Sequence, residues 1–329
     1  MPNQLSNTAR EFQVLVVDDD ASNRLLTQEM LAQRHYAVTT AANAAEARQQ
    51  ISAEPPDIIL LDVIMPGVSG IELCRELKEN PATRLIPVIL ITGLADRDSK
   101  LRGIEAGADD FLNKPVDPPE LFARVKSLLK LKQFTDELEN AETVLFSLAL
   151  GVEARDPYTE GHCHRLSNYA ANLGQALGLG GEDIVALRRA GVLHDIGKIA
   201  VPDAILRKPG PLDAEEMGIM RRHPETGEQI CRPLHSFSRV LPIIRHHHEH
   251  WNGGGYPDHL AGEQIPLLAR VLQVVDAYDA LTTARPYKSA WPHEQAKATL
   301  LEEASRHWWD KDILDVFLRQ VGNGAGPRA

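Results

Sequence analysis

The sequence predicts two domains in tandem: a doubly wound α/β fold on a five-stranded parallel sheet, then an all-α helical domain. Three observations carry this reading. Residues 13–132 alternate short apolar runs with amphipathic segments, as βαβ units do. From residue 137 onward only helical periodicity remains, punctuated by Pro and Gly. A length of 329 residues exceeds one ordinary domain and suits two, each with a core of its own.

The first half supplies its elements in order. Residues 13–17, 58–61 and 88–91 are apolar runs of strand length, with shorter candidates at 37–40 and 110–112. Amphipathic segments near 22–34, 43–53, 69–79, 97–106 and 118–132 alternate with them. In such a sheet the functional groups collect at the carboxyl ends of the strands. Those ends carry Asp18, Asp19 and Asp20, then Asp62, Thr92 and the pair Lys114-Pro115. Each acid alone reads as a helix cap or a solvated loop residue. Acids gathered from two strands repel one another unless a cation lies between them, and a few oxygen ligands suit Mg²⁺.

On those positions, residues 11–132 resemble response-regulator receiver domains, whose sheet is flavodoxin-like. The resemblance implies that Asp62 is the phosphoacceptor and that Asp18 and Asp19 hold Mg²⁺ with it and a backbone carbonyl near Ile64. It also implies that Lys114 and Thr92 meet the phosphoryl oxygens and that Phe111 is the aromatic switch. A sensor histidine kinase is then the implied partner.

No Gly- or Pro-rich linker follows. Over residues 118–152, Leu121, Val125, Leu128, Leu131, Thr135, Leu138, Leu145 and Leu148 keep near-heptad spacing, which predicts a connecting helix and a coiled coil. Lys126, Lys130 and Lys132 would face Glu137, Glu139 and Glu142 of a second copy, giving a homodimer. Packing of this helix on its own domain is the other reading.

The second half reads as helices near 137–153, 162–177, 182–194, 213–231, 236–249, 267–283, 293–305 and 311–320, with a Gly-rich, disordered tail at 321–329. Its chemistry centres on His194-Asp195, which follows an apolar run and precedes Gly197 and Lys198. Helix neighbours point about 100° apart, so an adjacent imidazole and carboxylate can reach one metal lodged beside them. Alone, such a doublet reads equally well as a hydrogen-bonded core histidine. It is accompanied by His162, by His223 before Pro224, by a histidine-rich run at 246–250, by the loop 251–257 and by Asp276. Imidazoles with carboxylates and no thiolates favour iron or manganese, with zinc also suited. Two divalent metals suit phosphodiester hydrolysis, one stabilising the attacking oxygen and the other the phosphoryl or leaving oxygen.

In content and order these motifs resemble the HD-GYP family, a branch of the HD metal-dependent phosphohydrolases, from about residue 145 to 318, and the domain is set at 145–320. The resemblance implies that His162, His194 and Asp276 bind one metal, that His223, His247 and His248 bind the second, and that Asp195 bridges. Lys198, on the face of His194 if the helix continues, would meet a substrate phosphate or the metal-bound water. Gly255, Tyr256 and Pro257 would line the substrate groove and contact partner domains, the glycines letting backbone approach a ligand and Tyr256 stacking on a base. Arg285 and Lys288 would clamp phosphates, although without the family they pass as a solvated basic turn. Some members hold a third metal through a Glu four residues before the first His; here that position is Tyr158, with Glu160 two residues off, so two metals are expected. Register on Gly255-Tyr256-Pro257 selects His247 and His248 and leaves His246 and His250 outside the ligand set, and Cys163 reads as a small buried residue.

Composition sets the remaining bounds. Hydrophobic content of 43% with 25% charge is ordinary for a globular protein, and a net charge of −11 argues against a nucleic-acid coat. No apolar run spans a bilayer and residues 1–11 hold no secretory segment, so a cytoplasmic protein is expected. Cys74, Cys163 and Cys231 are scattered and odd in number, which suggests reduced thiols. The combined expectation is a response regulator that opens cyclic di-GMP to linear pGpG, with continuation to GMP left open. The alternatives are an HD hydrolase of another cyclic dinucleotide or nucleotide and a non-catalytic adaptor that binds cyclic di-GMP or a GGDEF-domain protein.

Overall fold

The computed structural model describes residues 12–93, 97–155, 161–283 and 290–322, with backbone alone at 97–99. Arg285 and Lys288, the Tyr158 and Glu160 positions and residues 323–329 lie outside the described residues. The chain divides into two compact units, residues 1–140 and 141–329.

In the first unit, strands β1 (Gln13–Val17), β2 (Ala37–Ala41), β3 (Ile58–Asp62), β4 (Val88–Thr92) and β5 (Asp110–Asn113) alternate with helices α1 (Ala21–Ala32), α2 (Ala44–Ala53), α3 (Gly70–Glu79) and α4 (Arg97–Glu105), and α5 (Pro118–Arg155) follows. All the strand pairs are parallel and run in the order β2-β1-β3-β4-β5. A sheet covered on both faces needs apolar residues at successive positions, and β3 and β4 are buried along their whole length. Their alternating side chains feed two cores. Leu15, Val17, Ile59, Leu61, Val88 and Leu90 face one side, and Val14, Val16, Ile58, Leu60, Ile89 and Ile91 face the other with Leu121 and Val125 of α5.

The second unit is helical: α6 (His162–Ala176), α7 (Gly181–Leu193), α8 (Asp203–Leu206), α9 (Ala214–Met220), α10 (His223–Cys231), α11 (Leu241–His246), α12 (Leu267–Thr282), α13 (His293–Ser305) and α14 (Lys311–Gly322), with 3₁₀ turns at Ile196–Ala200, His235–Phe237 and Gly262–Gln264. One apolar core joins α6, α7, α11, α12, α13 and α14, with Phe237 and Phe317 fully buried in it. Leu145 and Phe146 of α5 pack against the same core.

Four expectations change. The segment at 213–231 is two helices, because Pro224 carries no N–H and sits in the first turn of a new helix, α10. The segment at 236–249 reduces to a 3₁₀ turn and the short α11, so His247 and His248 lie beyond the helix end. The helix before His194 stops at Leu193, and Lys198 stands in a 3₁₀ turn instead of continuing that helix. Residues 321 and 322 end α14 and are not part of a tail.

Some of the charged groups expected to face a second copy of α5 have partners within the chain. Glu142 accepts from Arg189 at 2.8 Å and from Ser236 at 2.9 Å, so its carboxylate is engaged within its own unit. Lys132 pairs with Asp136 one turn on, and the Lys130 ammonium lies over the Phe134 ring.

Candidate metal centre and receiver site

At the carboxyl edge of the sheet, carboxylate oxygens of Asp18, Asp19 and Asp62 lie within 4.8 Å of one another. Lys114 reaches over from the end of β5, 2.8 Å from Asp18 and 2.9 Å from Asp62. Burial raises the Asp62 pKa, and the adjacent Lys114 ammonium opposes that shift. Asp20 is the helix cap of the trio, accepting from the N–H groups of Ser22 and Asn23. Thr92 is buried at the end of β4. The Phe111 ring packs where Gly103 of α4 leaves room.

The second site is made by chain ends and turns. His162 opens α6, His194 closes α7, Asp195 precedes a 3₁₀ turn, His223 opens α10, His247 and His248 follow α11, and Asp276 lies within α12. Donor atoms of Asp195, His223, His247 and His248 form one cluster and those of His162, His194 and Asp276 another, each within 4.8 Å. The two join at Asp195, whose Oδ2 is 3.3 Å from His194 Nε2 and whose Oδ1 is 3.2 Å from His223 Nε2. Asp195 Oδ1 is buried and accepts no hydrogen bond.

Proton positions follow from the outer partners. His223 Nδ1 donates to Met220 O at 2.8 Å and His247 Nδ1 to Ile244 O at 2.7 Å, since a carbonyl only accepts. His194 Nδ1 lies 3.3 Å from Gly191 O. All three carbonyls stand three residues before the histidine. His162 Nδ1 donates to Asp279 Oδ2 at 2.8 Å, and the same carboxylate accepts from Arg165 at 2.6 and 2.9 Å. Each Nε2 therefore carries a lone pair when the ring is neutral. Yet His223 Nε2 faces His247 Nε2 at 3.3 Å, and His162 Nε2 faces His194 Nε2 at 3.4 Å. Facing lone pairs repel, and a cation between them reverses the sign. The donor set fits a metal, and each of these four imidazoles has the outer acceptor typical of a metal-bound histidine. Burial, reinforced by neighbouring histidines, holds His247 and His248 well below the usual histidine range, and so neutral. Burial alone would raise the Asp195 carboxyl, but the Lys198 ammonium at 2.7 Å, followed by His194, keeps it well below the carboxylate range.

Comparison with known proteins assigns a domain family to each unit. Residues 14–126 match the response regulator receiver domain and residues 148–313 match the HD domain. A relative named cyclic di-GMP phosphodiesterase response regulator RpfG, from Xanthomonas campestris pv. campestris, is 37% identical over 93% of this chain and 87% of its own. The chain belongs to the receiver–HD family of cyclic di-GMP phosphodiesterase response regulators. A cyclic di-GMP phosphodiesterase of Thermotoga maritima is 32% identical over 93% of this chain and 89% of its own. A 3'3'-cGAMP-specific phosphodiesterase 2 of Vibrio cholerae is 38% identical over 56% of this chain and 35% of its own.

In this receiver–HD chain the histidine run divides by function. His246 and His250 stay outside both clusters, His250 stacking on Trp308 at 4.7 Å between ring centres. Cys163 is buried, with a thiol 3.5 Å from Val192 O. Tyr256 stacks on His248 at 4.8 Å, so that face of the ring is not free to receive a base. The glycine approach also differs from expectation. Gly255 is pressed against its own chain, where a Cβ would sit 2.3 Å from His250 N.

The sequence reading passed over four residues of this site: Asp279, Arg165, Glu249 and Gln273. Asp279 and Arg165 each lie three residues after a predicted ligand, on the same helix face, a spacing that does not by itself tell a ligand from its support. Glu249 is fully buried and accepts the Asp258 N–H at 2.7 Å and the Leu260 N–H at 3.1 Å, anchoring the Gly255-Tyr256-Pro257 loop. Gln273 donates to Glu249 O and His246 O beneath that loop.

Asp279→Ala should lower metal affinity roughly 10- to 100-fold, the range for loss of an outer partner of a metal-bound histidine. The substitution frees the His162 tautomer and strips Arg165 of its carboxylate. Competition with a chelator measures it, and an unchanged affinity would show that His162 is not a ligand.

Proposed function

We propose that the helical unit hydrolyses cyclic di-GMP to linear pGpG under control of phosphorylation at Asp62. The observation that carries the hydrolytic reading is the pair of facing Nε2 lone pairs joined by Asp195. His162, His194 and Asp276 would hold one metal and His223, His247 and His248 the second, with Asp195 shared between them. Iron or manganese suits this donor set best, and zinc is also compatible. When bound, such metals supply Lewis-acid stabilisation of a phosphodiester and its attacking oxygen. The chain's own part is to fix four imidazole tautomers through Asp279 and three carbonyls, and to hold Lys198 against Asp195. Arg285 and Lys288 are read as further phosphate-binding groups, and Gly255-Tyr256-Pro257 as a wall of the substrate groove.

In the receiver unit, Asp18, Asp19 and Asp62 would bind Mg²⁺, and an Asp62 oxygen would form a bond to the phosphorus of a phosphohistidine on a sensor histidine kinase as the N–P bond breaks and the kinase imidazole leaves. Lys114 neutralises charge on the transferred group. GGDEF-domain proteins are read as further partners of the Gly255-Tyr256-Pro257 loop.

The test is incubation of metal-loaded protein with cyclic di-GMP and separation of products by chromatography. Linear pGpG is expected, and chelation should abolish it. Turnover of 3'3'-cGAMP alone, as the name of the Vibrio relative states for that protein, would move the reading to another cyclic dinucleotide. Binding without turnover would move it to an adaptor.

A homodimer through α5 belongs to the same proposal. Leu131, Phe134 and Leu138 are exposed at 62%, 56% and 41%, with Leu148 at 44%, and their spacing keeps a heptad seam. Among the described residues, no helix is long and apolar enough to cross a membrane, so a lipid contact along a span does not explain the stripe. Sedimentation of a Leu131→Lys, Leu138→Lys variant should give the monomer mass, and an unchanged dimer would remove α5 as the seam.

A further inference from the structure

Tyr256 is half-buried beside the candidate ligand His248. Its ring stacks on the imidazole of His248, with centres 4.8 Å apart and planes 25° apart. The Arg221 guanidinium lies over the same ring, 5.3 Å from its centre. Tyr256 thus touches both a candidate ligand, His248, and the guanidinium of Arg221. Arg221 closes α9, two residues before the ligand His223, and it is exposed.

Among the described residues Arg221, like Arg207 and Arg222, makes no salt bridge, but of these it alone lies over the ring that stacks on His248, whereas three basic groups packed around the candidate ligands are tied to acids. Lys198 is bound to Asp195, Arg245 is held by Asp258 and Glu228, and Arg165 by Asp279. A guanidinium on an aromatic face keeps the N–H donors of its edge free, and that fork matches a phosphate bidentately. Two stacking steps separate it from the ligand cluster, so it is placed for an anionic group of the substrate other than the one at the ligands. A cyclic dinucleotide carries two phosphodiesters, only one of which is cut at a time.

We infer that Arg221 binds the non-scissile phosphate of the cyclic dinucleotide. This rests on the phosphodiesterase reading above. Tyr256 is the platform that orients the guanidinium, which gives that residue a part other than base stacking.

The test compares two substrates on the full-length, metal-loaded protein: cyclic di-GMP, and bis(p-nitrophenyl) phosphate, which has a single phosphate and no second anion. For Arg221→Ala, the ratio of kcat/KM for cyclic di-GMP to that for the small diester should fall about tenfold, mostly through KM, with metal content unchanged. Arg221→Lys should recover part of the loss, since it restores charge without the bidentate fork. A ratio equal to that of the parent protein overturns the assignment, and so does a loss of bound metal, which would mean that Arg221 acts through Tyr256 and His248. Parent protein that hydrolyses the small diester but neither binds nor cuts cyclic di-GMP would overturn the phosphodiesterase reading along with it, so the two failures are told apart.

Discussion

Asp195→Ala should lose both metals and turnover together while the helical content stays close to that of the parent protein. The two Asp195 oxygens face different histidines, one from each cluster, and Oδ1 is buried with no other partner. Among the described residues, the other carboxylate of the two clusters, Asp276, faces His162 and not His223. Loss of an outer partner already costs roughly 10- to 100-fold in metal affinity or activity, so loss of the shared ligand should exceed the upper end of that range. The fold should survive at reduced stability, since Lys198 loses its carboxylate partner but the apolar core of the unit, which does not include Asp195, stays intact. Elemental analysis and far-UV circular dichroism on one preparation check this. Full metal content at the parent rate would reject Asp195 as the bridge.

Gly197→Ala should have an effect of similar size by a different route. A Cβ there would sit 1.9 Å from His223 O and 2.6 Å from Gly227 N. Both atoms are main chain, so no side-chain rotation relieves the clash and the 3₁₀ turn must part from α10. Overpacking of this kind costs up to about 3 kcal/mol, occasionally more. The separation also pulls Asp195 away from His223, so the second metal should be lost before the protein unfolds. Denaturant titration with parallel metal analysis reads both. Gly218→Ala is the control: it lies within α9, its Cβ meets nothing within 4 Å, and alanine there should be neutral or stabilising by up to about 1 kcal/mol. Equal stability of the two variants would mean that the contact at Gly197 yields easily.

The receiver unit was legible almost element by element, because a two-faced sheet forces unbroken apolar strands such as Ile58–Asp62 and Val88–Thr92. The helical unit was legible as helices but not in their ends. Periodicity runs through Arg221 and Arg222 without a break, and only the geometry of Pro224 divides α9 from α10. The two metal clusters group the histidines and aspartates that the family resemblance named. Their outer partners were not readable. Asp276 and Asp279 stand three residues apart in one helix, and nothing in a single sequence says that one faces the cluster while the other supports His162 from behind. Glu249 was hidden for a related reason: a buried carboxylate that accepts two main-chain N–H groups contributes through loop closure, which leaves no local pattern.

Three of the four outer acceptors in the metal centre are carbonyls of Met220, Ile244 and Gly191. A main-chain oxygen cannot be deleted by changing a side chain, so the proton placement on His223, His247 and His194 is insulated from point substitution at the acceptor. Side-chain variation can reach the site without touching a candidate ligand through Lys198, which acts on Asp195, and through Asp279 and Arg165, which act on His162. Two metals held as proposed would therefore differ in tunability: the tautomers of His223 and His247 are fixed by backbone geometry, whereas His162 has a side-chain partner that substitution can change.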